Sequence, residues 1–317
     1  MSLPEPGCDR VQCPLTLLLQ RLVYIESSKA TEYCMHGDVF PRVPRILVFK
    51  FCSVLGTSVI IANTLVINFV IQFPSHHYSI TVAALNASAC LATIYGLITI
   101  HRYGFRGTHG QSLLYLTLGI LFWFIGDLTL AYGHFVQHHE EEQSLVVSFA
   151  DPCWIVGYIF FSLHLFTALR FVRRDQIHAF SVIMVVIASG SVIAYNLILP
   201  SGSFASGEGR IIGEIRTGFI DLILSILYPI LDLVLIIPSV IILTVHRKDY
   251  QNFMPWILSS LSLLINAIAD DGFVHHFLQG NTKEMWIWDL FFMTDYIILV
   301  GAFYWYNRFY NTLKIER

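Results

Sequence analysis

Two adjacent aspartates, Asp270 and Asp271, interrupt a long apolar stretch of the sequence, and His275 and His276 follow about one helical turn later. Carboxyl and imidazole groups at this spacing can move protons or bind a cation. An ionised carboxylate in the middle of a membrane helix costs about 2.5 to 3.5 kcal/mol even on the lenient insertion scale. We therefore expect these side chains to face a cavity, to carry a proton or to bind a cation.

The composition indicates that these residues do lie in a membrane. Of the 317 residues, 55% are hydrophobic and only 13% are charged, against about 25% charged residues in soluble domains. Eight stretches reach the length of about 20 apolar residues that a helix needs to cross a bilayer. They are residues 46–73, 80–100, 112–135, 150–172, 178–199, 218–245, 254–277 and 286–309. The prediction is an all-α, polytopic membrane helix bundle of eight transmembrane helices, with a membrane domain at 46–309.

The basic residues predict the orientation of this bundle. Lysines and arginines are concentrated in the connectors and termini on one side of the predicted spans, and the positive-inside rule makes that side cytoplasmic. Both termini are then cytoplasmic, with a tail at 1–45 and a short tail at 310–317. The first tail could instead be interfacial, or the native start could be Met35. The protein is expected in the cell membrane, with the lipid bilayer as its surroundings and no nucleic acid partner.

With this orientation, the acidic residues of the spans fall in the outer halves of their helices. No lysine or arginine lies in those halves to pair with them, and Lys50 is at the cytoplasmic end of the first span. For a single aspartate, a hydrogen bond to a neighbouring helix is an adequate explanation. Eight aspartates on the same side of the membrane, without basic partners, are better explained by an outward-facing acidic pocket. They are Asp127, Asp151, Asp221, Asp232, Asp270, Asp271, Asp289 and Asp295.

Helical spacing predicts which side chains line this pocket. Residues three, four, seven or eleven positions apart share one face of a helix. This groups Tyr228 with Asp232 in the sixth span, and it groups aromatic residues with the aspartates of the third and fourth spans. Asp270 and Asp271 point about 100° apart, and Asp270 is the better candidate. The predicted lining residues are Asp127, Asp151, Tyr158, Tyr228, Asp232, Asp270, Asp271, Asp289, Asp295, Trp123 and Trp154, and His134 and His275 are candidate metal ligands.

The third and fourth spans resemble the seventh and eighth. The segment IGDLTLAYG (125–133) aligns with IADDGFVHH (268–276), and ADPCWIVGY (150–158) aligns with WDLFFMTDY (288–296). The alignment places Asp127 opposite Asp270 and Tyr158 opposite Tyr296. Because both pairs run in the same direction, it predicts a parallel repeat of four plus four helices. Convergent helix chemistry is the alternative.

Several of these motifs resemble a known family. The segments GILFWFIGDLTLAYG, SFADPCWIVGYIFF, ILYPILDLVLIIPSVIIL, INAIADDGFVHH and WDLFFMTDYIILVGAFY are similar to the eight-span amino-terminal membrane region of some bacterial diguanylate-cyclase and histidine-kinase signalling proteins. The resemblance covers residues 46–309 and implies a membrane sensor that signals to a cytoplasmic output domain. Only YNTLKIER follows Phe309, so a separate signalling partner is expected.

Three functions remain open at this stage. The first is a sensor or receptor-like module whose acidic pocket binds a cation, protons or a small ligand. The second is an Asp/His-dependent lipid hydrolase, since eight spans with Gly-Asp in the third are also similar to lysoplasmalogenase-type enzymes, although no compact histidine motif or nucleophile elbow is present. The third is a transporter, which would need a continuous polar path through the inner half. The sequence identifies no cofactor.

Overall fold

The computed structural model describes residues 45–105, 107–136, 149–170, 179–205, 218–245, 250–278 and 285–315. In these ranges the chain forms eight α-helices and one short 3₁₀ helix, Pro74–His76. The α-helices are α1 (Arg45–Gln72), α2 (His77–Tyr103), α3 (Gly107–Val136), α4 (Ala150–Leu169), α5 (Ala179–Ala205), α6 (Gly218–Val245), α7 (Tyr250–Leu278) and α8 (Trp286–Ile315). Of the predicted tail at 1–45, residues 1–44 lie outside the described residues, and Arg45 begins α1.

Seven of the described helices, all except α5, are long and apolar enough to cross a membrane. In α5 (Ala179–Ala205) side chains are described only as far as Ala194, and the stretch Ala179–Ala194 is apolar. The chain is therefore a helical, multi-pass membrane protein, as predicted. Apolar side chains such as Ile60 in α1 and Val186 in α5 are more than half exposed, as expected for a surface that faces lipid.

Six helices form a closed ring. In ring order they are α2, α3, α4, α6, α7 and α8, and α8 packs against α2 to complete the circuit. The most extensive contacts are those of α3 with α4 and of α7 with α8. The other two helices lie outside the ring, with α1 against α2 and α8, and α5 against α6 and α7. A side chain that points inward from any ring helix can therefore reach several others.

The interior of the ring is filled by large apolar side chains. Ile120 of α3, Phe161 of α4 and Leu299 and Phe303 of α8 are fully buried in one hydrophobic cluster. Membrane helices gain little from hydrophobic burial against each other, because lipid is equally apolar, so close packing and interhelical hydrogen bonds hold them together. Buried polar positions in this bundle are therefore informative about both stability and function.

Two glycines allow α3 and α4 to approach closely. A Cβ atom at Gly119 would meet the ring of Phe161, and one at Gly157 would clash with the indole of Trp123. The same Cβ at Gly157 would lie 3.1 Å from the backbone carbonyl oxygen of Gly119. Small residues at such crossings are typical of tightly packed membrane helices. The N-terminal part of α4 lies beside the aspartate of α3, since Trp154 bonds to Asp127.

We predict that Gly157→Ala destabilises the folded protein by about 1 to 3 kcal/mol, because the added methyl group overpacks the contact with Trp123. Gly190→Ala is the matched control, since a Cβ at Gly190 in α5 meets nothing within 4 Å. There the gain in helix propensity should leave stability equal or slightly higher. The measurement is reversible unfolding in mixed micelles, and equal stabilities of the two variants would show that the close approach is unimportant.

Candidate functional site

Four aspartates from four helices meet inside the ring. They are Asp127 of α3, Asp232 of α6, Asp270 of α7 and Asp295 of α8, and together they are called the acidic cluster below. Asp232 is 1% exposed and Asp295 is 0% exposed, whereas Asp127 and Asp270 are half-buried. The neighbouring charges that act on Asp232, Asp270 and Asp295 are those of other aspartates. The cluster thus concentrates negative charge in a region of low dielectric constant.

Tyr158 of α4 joins two members of the acidic cluster. Its hydroxyl oxygen lies 2.6 Å from Oδ1 of Asp232 and 2.5 Å from Oδ2 of Asp270. Asn266, one turn before Asp270 on α7, donates its side-chain amide to the same Oδ2 at 3.0 Å. The tyrosine is almost completely buried, at 1% exposure, so water does not compete for these bonds. One hydroxyl therefore links α4, α6 and α7.

Asp127 is held by donors from two other elements of the ring. Tyr296 of α8 donates its hydroxyl to Oδ2 at 2.7 Å, and Trp154 of α4 donates its indole N–H to Oδ1 at 3.1 Å. Trp123 donates its indole N–H to the backbone carbonyl of Trp154 at 3.1 Å. It therefore orients the tryptophan that holds Asp127.

Asp295 differs from the other members of the acidic cluster. Ser262 of α7 donates to its Oδ1, while its Oδ2 is buried and has no hydrogen-bond partner among the described residues. A buried charge without a partner is strongly unfavourable, so this oxygen must be compensated by a proton or by a bound cation.

Two further aspartates form separate interhelical bonds. Asp151 at the start of α4 accepts a hydrogen bond from the hydroxyl of Tyr228 of α6 at 2.7 Å. Asp289 at the start of α8 accepts one from Thr81 of α2 at 2.5 Å. Asp271 is half-buried and acts electrostatically on Asp232 and Asp270. Asp151 and Asp289 thus connect neighbouring helices of the ring.

The structure brings together most of the predicted lining residues. Asp127, Tyr158, Asp232, Asp270, Asp295 and Trp154 contact or belong to the acidic cluster. Tyr228 lies beside it, with its ring centroid 6.2 Å from that of Tyr158. Asp289 accepts a hydrogen bond from Thr81 of α2. The side chain of Asp221 lies outside the described residues.

In the described part of the chain, the predicted metal ligands are not accompanied by the further side chains that would be needed to coordinate a metal ion. His134 bonds through Nε2 to the hydroxyl of Ser79 at 2.8 Å and packs edge-on against Tyr78. The side chain of His275 is outside the described residues, so the pair as such stays a prediction. Among the described residues, no three His, Cys, Asp or Glu side chains are grouped to hold a metal ion.

Three partners in the site were not among the predicted lining residues. Tyr296 aligns with Tyr158 in the predicted repeat, and Asn266 lies one turn before Asp270. The sequence therefore contained a pattern from which both residues could have been predicted to lie in the site. No sequence pattern pointed to Ser262, because serines are common in apolar helices and its partner, Asp295, lies on another helix.

A second polar group lies toward the C-terminal end of α4. His164 of α4 is 1% exposed, and its Nδ1 lies 2.9 Å from the Ser112 hydroxyl while its Nε2 lies 3.0 Å from the Ser259 hydroxyl. Ser259, Ser262, Asn266 and Asp270 follow at three- and four-residue steps on α7 and share one face of that helix. This buried polar face extends from His164 to the acidic cluster.

Comparison with protein-family models, with curated proteins and with solved structures finds no match to this chain. The class of the protein is therefore defined only by its fold and its site. It is a multi-pass helical membrane protein with carboxyl groups clustered inside its bundle. The resemblance to the signalling-protein membrane region stays a prediction.

We predict that Tyr158→Phe destabilises the protein by about 1 to 3 kcal/mol, because it leaves buried carboxyl groups without their shared partner. The control is Tyr304→Phe on α8, whose ring is 47% exposed. Unfolding in mixed micelles measures both. A double-mutant cycle with Asp232→Asn should show a coupling energy well above zero, and additive effects would contradict the bridge.

Proposed function

We propose that the chain is a receptor-like sensor module of the cell membrane. Its acidic cluster forms an outward-facing pocket that binds a cation, protons or a small cationic ligand, and a signalling partner reads the response on the cytoplasmic side. The observation that carries the proposal is the convergence of Asp127, Asp232, Asp270 and Asp295, from four helices, in an environment of aspartates and neutral donors.

The proposal draws on the energetics of crowded carboxylates. Two like charges a few ångströms apart repel each other more strongly inside a protein than in water. A bound cation or proton removes part of this repulsion, and the helices that carry the carboxylates can then pack more closely. A ligand shifts an equilibrium between two packings only by its difference in affinity for them, and neutralisation of the cluster supplies that difference.

The bonds around the cluster support a division into two four-helix halves, α1–α4 and α5–α8. Tyr158 of α4 bonds to Asp270 of α7, and Tyr296 of α8 bonds to Asp127 of α3. Each half thus supplies the tyrosine for the other half's aspartate, as a two-fold relation requires. The cluster lies between the proposed halves, where a ligand would act on their relative position. Eight crossings and cytoplasmic termini are part of the same proposal.

A second candidate function, transport, is favoured by the buried polar face of α7. A transporter needs polar groups along its route, and Ser259 connects this face to His164 in the inner part of the bundle. The acidic cluster would then be the outer end of a proton or cation route. No comparable observation favours a lipid hydrolase.

The sensor proposal predicts that cations or a lower pH stabilise the folded protein. Folding brings the carboxylates together, so the folded state binds protons or cations more tightly than the unfolded state, and stability should fall as the pH rises. The measurement is the Tm in detergent over a series of pH values and of Na⁺, K⁺, Mg²⁺ and Ca²⁺ concentrations. Asp127→Asn and Asp270→Asn should reduce the response.

Asp289→Asn is the control for this experiment, because its partner is Thr81 outside the acidic cluster. It can lower the Tm but should keep the response to pH and cations. A wild-type Tm that is independent of both would refute the sensor proposal.

The transport proposal predicts proton or cation flux into liposomes that contain the purified protein. A dye trapped inside reports the flux after a pH or Na⁺ step. His164→Leu should reduce it at least several-fold, because it interrupts the polar face, whereas His101→Leu, at an exposed position of α2, should not. Flux equal to that of empty liposomes would rule out transport of these ions.

A further inference from the structure

The acidic cluster holds fewer charges than it has carboxyl groups, and the hydrogen bonds of Tyr158 indicate why. A tyrosine hydroxyl has one hydrogen, yet its oxygen makes two short contacts with carboxyl oxygens, at 2.6 and 2.5 Å. Contacts of this length are O–H···O hydrogen bonds, and each needs a hydrogen between its two atoms. The second hydrogen must come from one of the two carboxyl groups.

Asn266 indicates which carboxyl group supplies it. The side-chain amide nitrogen of Asn266 can only donate, and it donates to Oδ2 of Asp270, the same oxygen that faces Tyr158. This oxygen therefore acts as an acceptor in both bonds. Tyr158 then donates to Asp270 and accepts a hydrogen from Oδ1 of Asp232. Asp232 is the protonated member of the pair, and Asp270 is ionised.

Burial gives an independent indication for Asp295. Its side chain is 0% exposed, and its Oδ2 is buried without a partner in the described part of the chain. An unpartnered oxygen costs far less in a neutral carboxylic acid than in an ionised carboxylate. Asp127 is the opposite case, since Trp154 and Tyr296 donate to its two separate oxygens, as suits an ionised group.

We infer that the acidic cluster binds two resident protons, one on Asp232 and one on Asp295, and leaves Asp127 and Asp270 as an ionised pair that receives the incoming cation. The two protonated residues are the fully buried ones, and the two ionised residues are half-buried. This inference rests on the proposed function, and it assigns separate roles to the two kinds of aspartate. The other titratable groups that face the cluster are Asp151, Tyr158, Tyr228, Asp271 and Tyr296.

Infrared spectroscopy of the purified full chain tests the inference, because a protonated carboxyl group has a C=O stretching band above the amide region that an ionised carboxylate lacks, and that band shifts in D₂O. Two such bands are expected at neutral pH. Asp232→Asn should remove one of them and Asp295→Asn the other, while Asp127→Asn, the matched control in the same cluster, should keep both.

Two milder variants cover the case in which the asparagine substitutions do not fold. Tyr158→Phe should shift the frequency of the Asp232 band, and Ser262→Ala that of the Asp295 band, because each change removes a hydrogen bond of the protonated carboxyl group and leaves the group itself in place. Absence of both bands at neutral pH would overturn the inference. So would bands that appear only when Na⁺ is replaced by choline, since the resident ion would then be a metal cation.

These results can be separated from the test of the proposed function. If the bands are present but the Tm responds to neither pH nor cations, the protons are structural, so the sensor proposal fails and the proton assignment stands. If the Tm responds to cations and the bands are absent, the sensor proposal stands and the proton assignment fails.

Discussion

Carboxyl groups inside a membrane must be compensated by something other than water, and this constraint determines much of the bundle. Here the compensation comes from hydroxyl and indole donors on other helices. Tyr158 must lie within hydrogen-bond distance of Asp232 and Asp270 at once, which fixes α4 relative to α6 and α7. Trp154 donates to Asp127 across the contact between α3 and α4, where its indole packs against Gly126 and a Cβ atom would clash with it. The polar contacts and the glycine contacts therefore depend on each other.

The sequence predicts the helices well, because the length of an apolar stretch is a strong signal when it must match the thickness of a bilayer. The predicted span at 286–309 corresponds to α8, Trp286–Ile315, and the span at 218–245 corresponds to α6, Gly218–Val245. The side of each helix that faces inward was also predictable, because the four-residue spacing of Asn266 and Asp270 places them on one face.

The sequence does not show which helix lies opposite that face. Periodicity describes a single helix, whereas the pairing of Asp289 with Thr81, or of Asp295 with Ser262, depends on the arrangement of the ring. Serine and threonine are frequent in membrane helices and often bond to their own backbone, so neither could be identified as a carboxylate partner. Tyr296 was the exception, because it aligns with Tyr158, a predicted lining residue, and could have been predicted from that alignment.

The proposed repeat is informative where its two copies differ. In the aligned segments of α4 and α8, Gly157 corresponds to Asp295. The glycine brings α3 and α4 together, and the aspartate at the equivalent place on α8 bonds to Ser262 of α7. One copy of the helix pair is specialised for tight packing, and the other carries a buried acid. Under the proposed repeat, this difference would leave a buried acid in only one of the two copies.

The position of α1 outside the ring has a practical consequence for handling the protein. Only 6% of its apolar stretch is buried against the described part of the chain. Most of the surface of α1 is therefore in contact with lipid or, after extraction, with detergent. A detergent with a short acyl chain covers a helix of 28 residues less completely than a bilayer does. Extraction conditions would thus affect α1 well before they disturb the six-helix ring, and lipid nanodiscs are the better medium for studying the intact bundle.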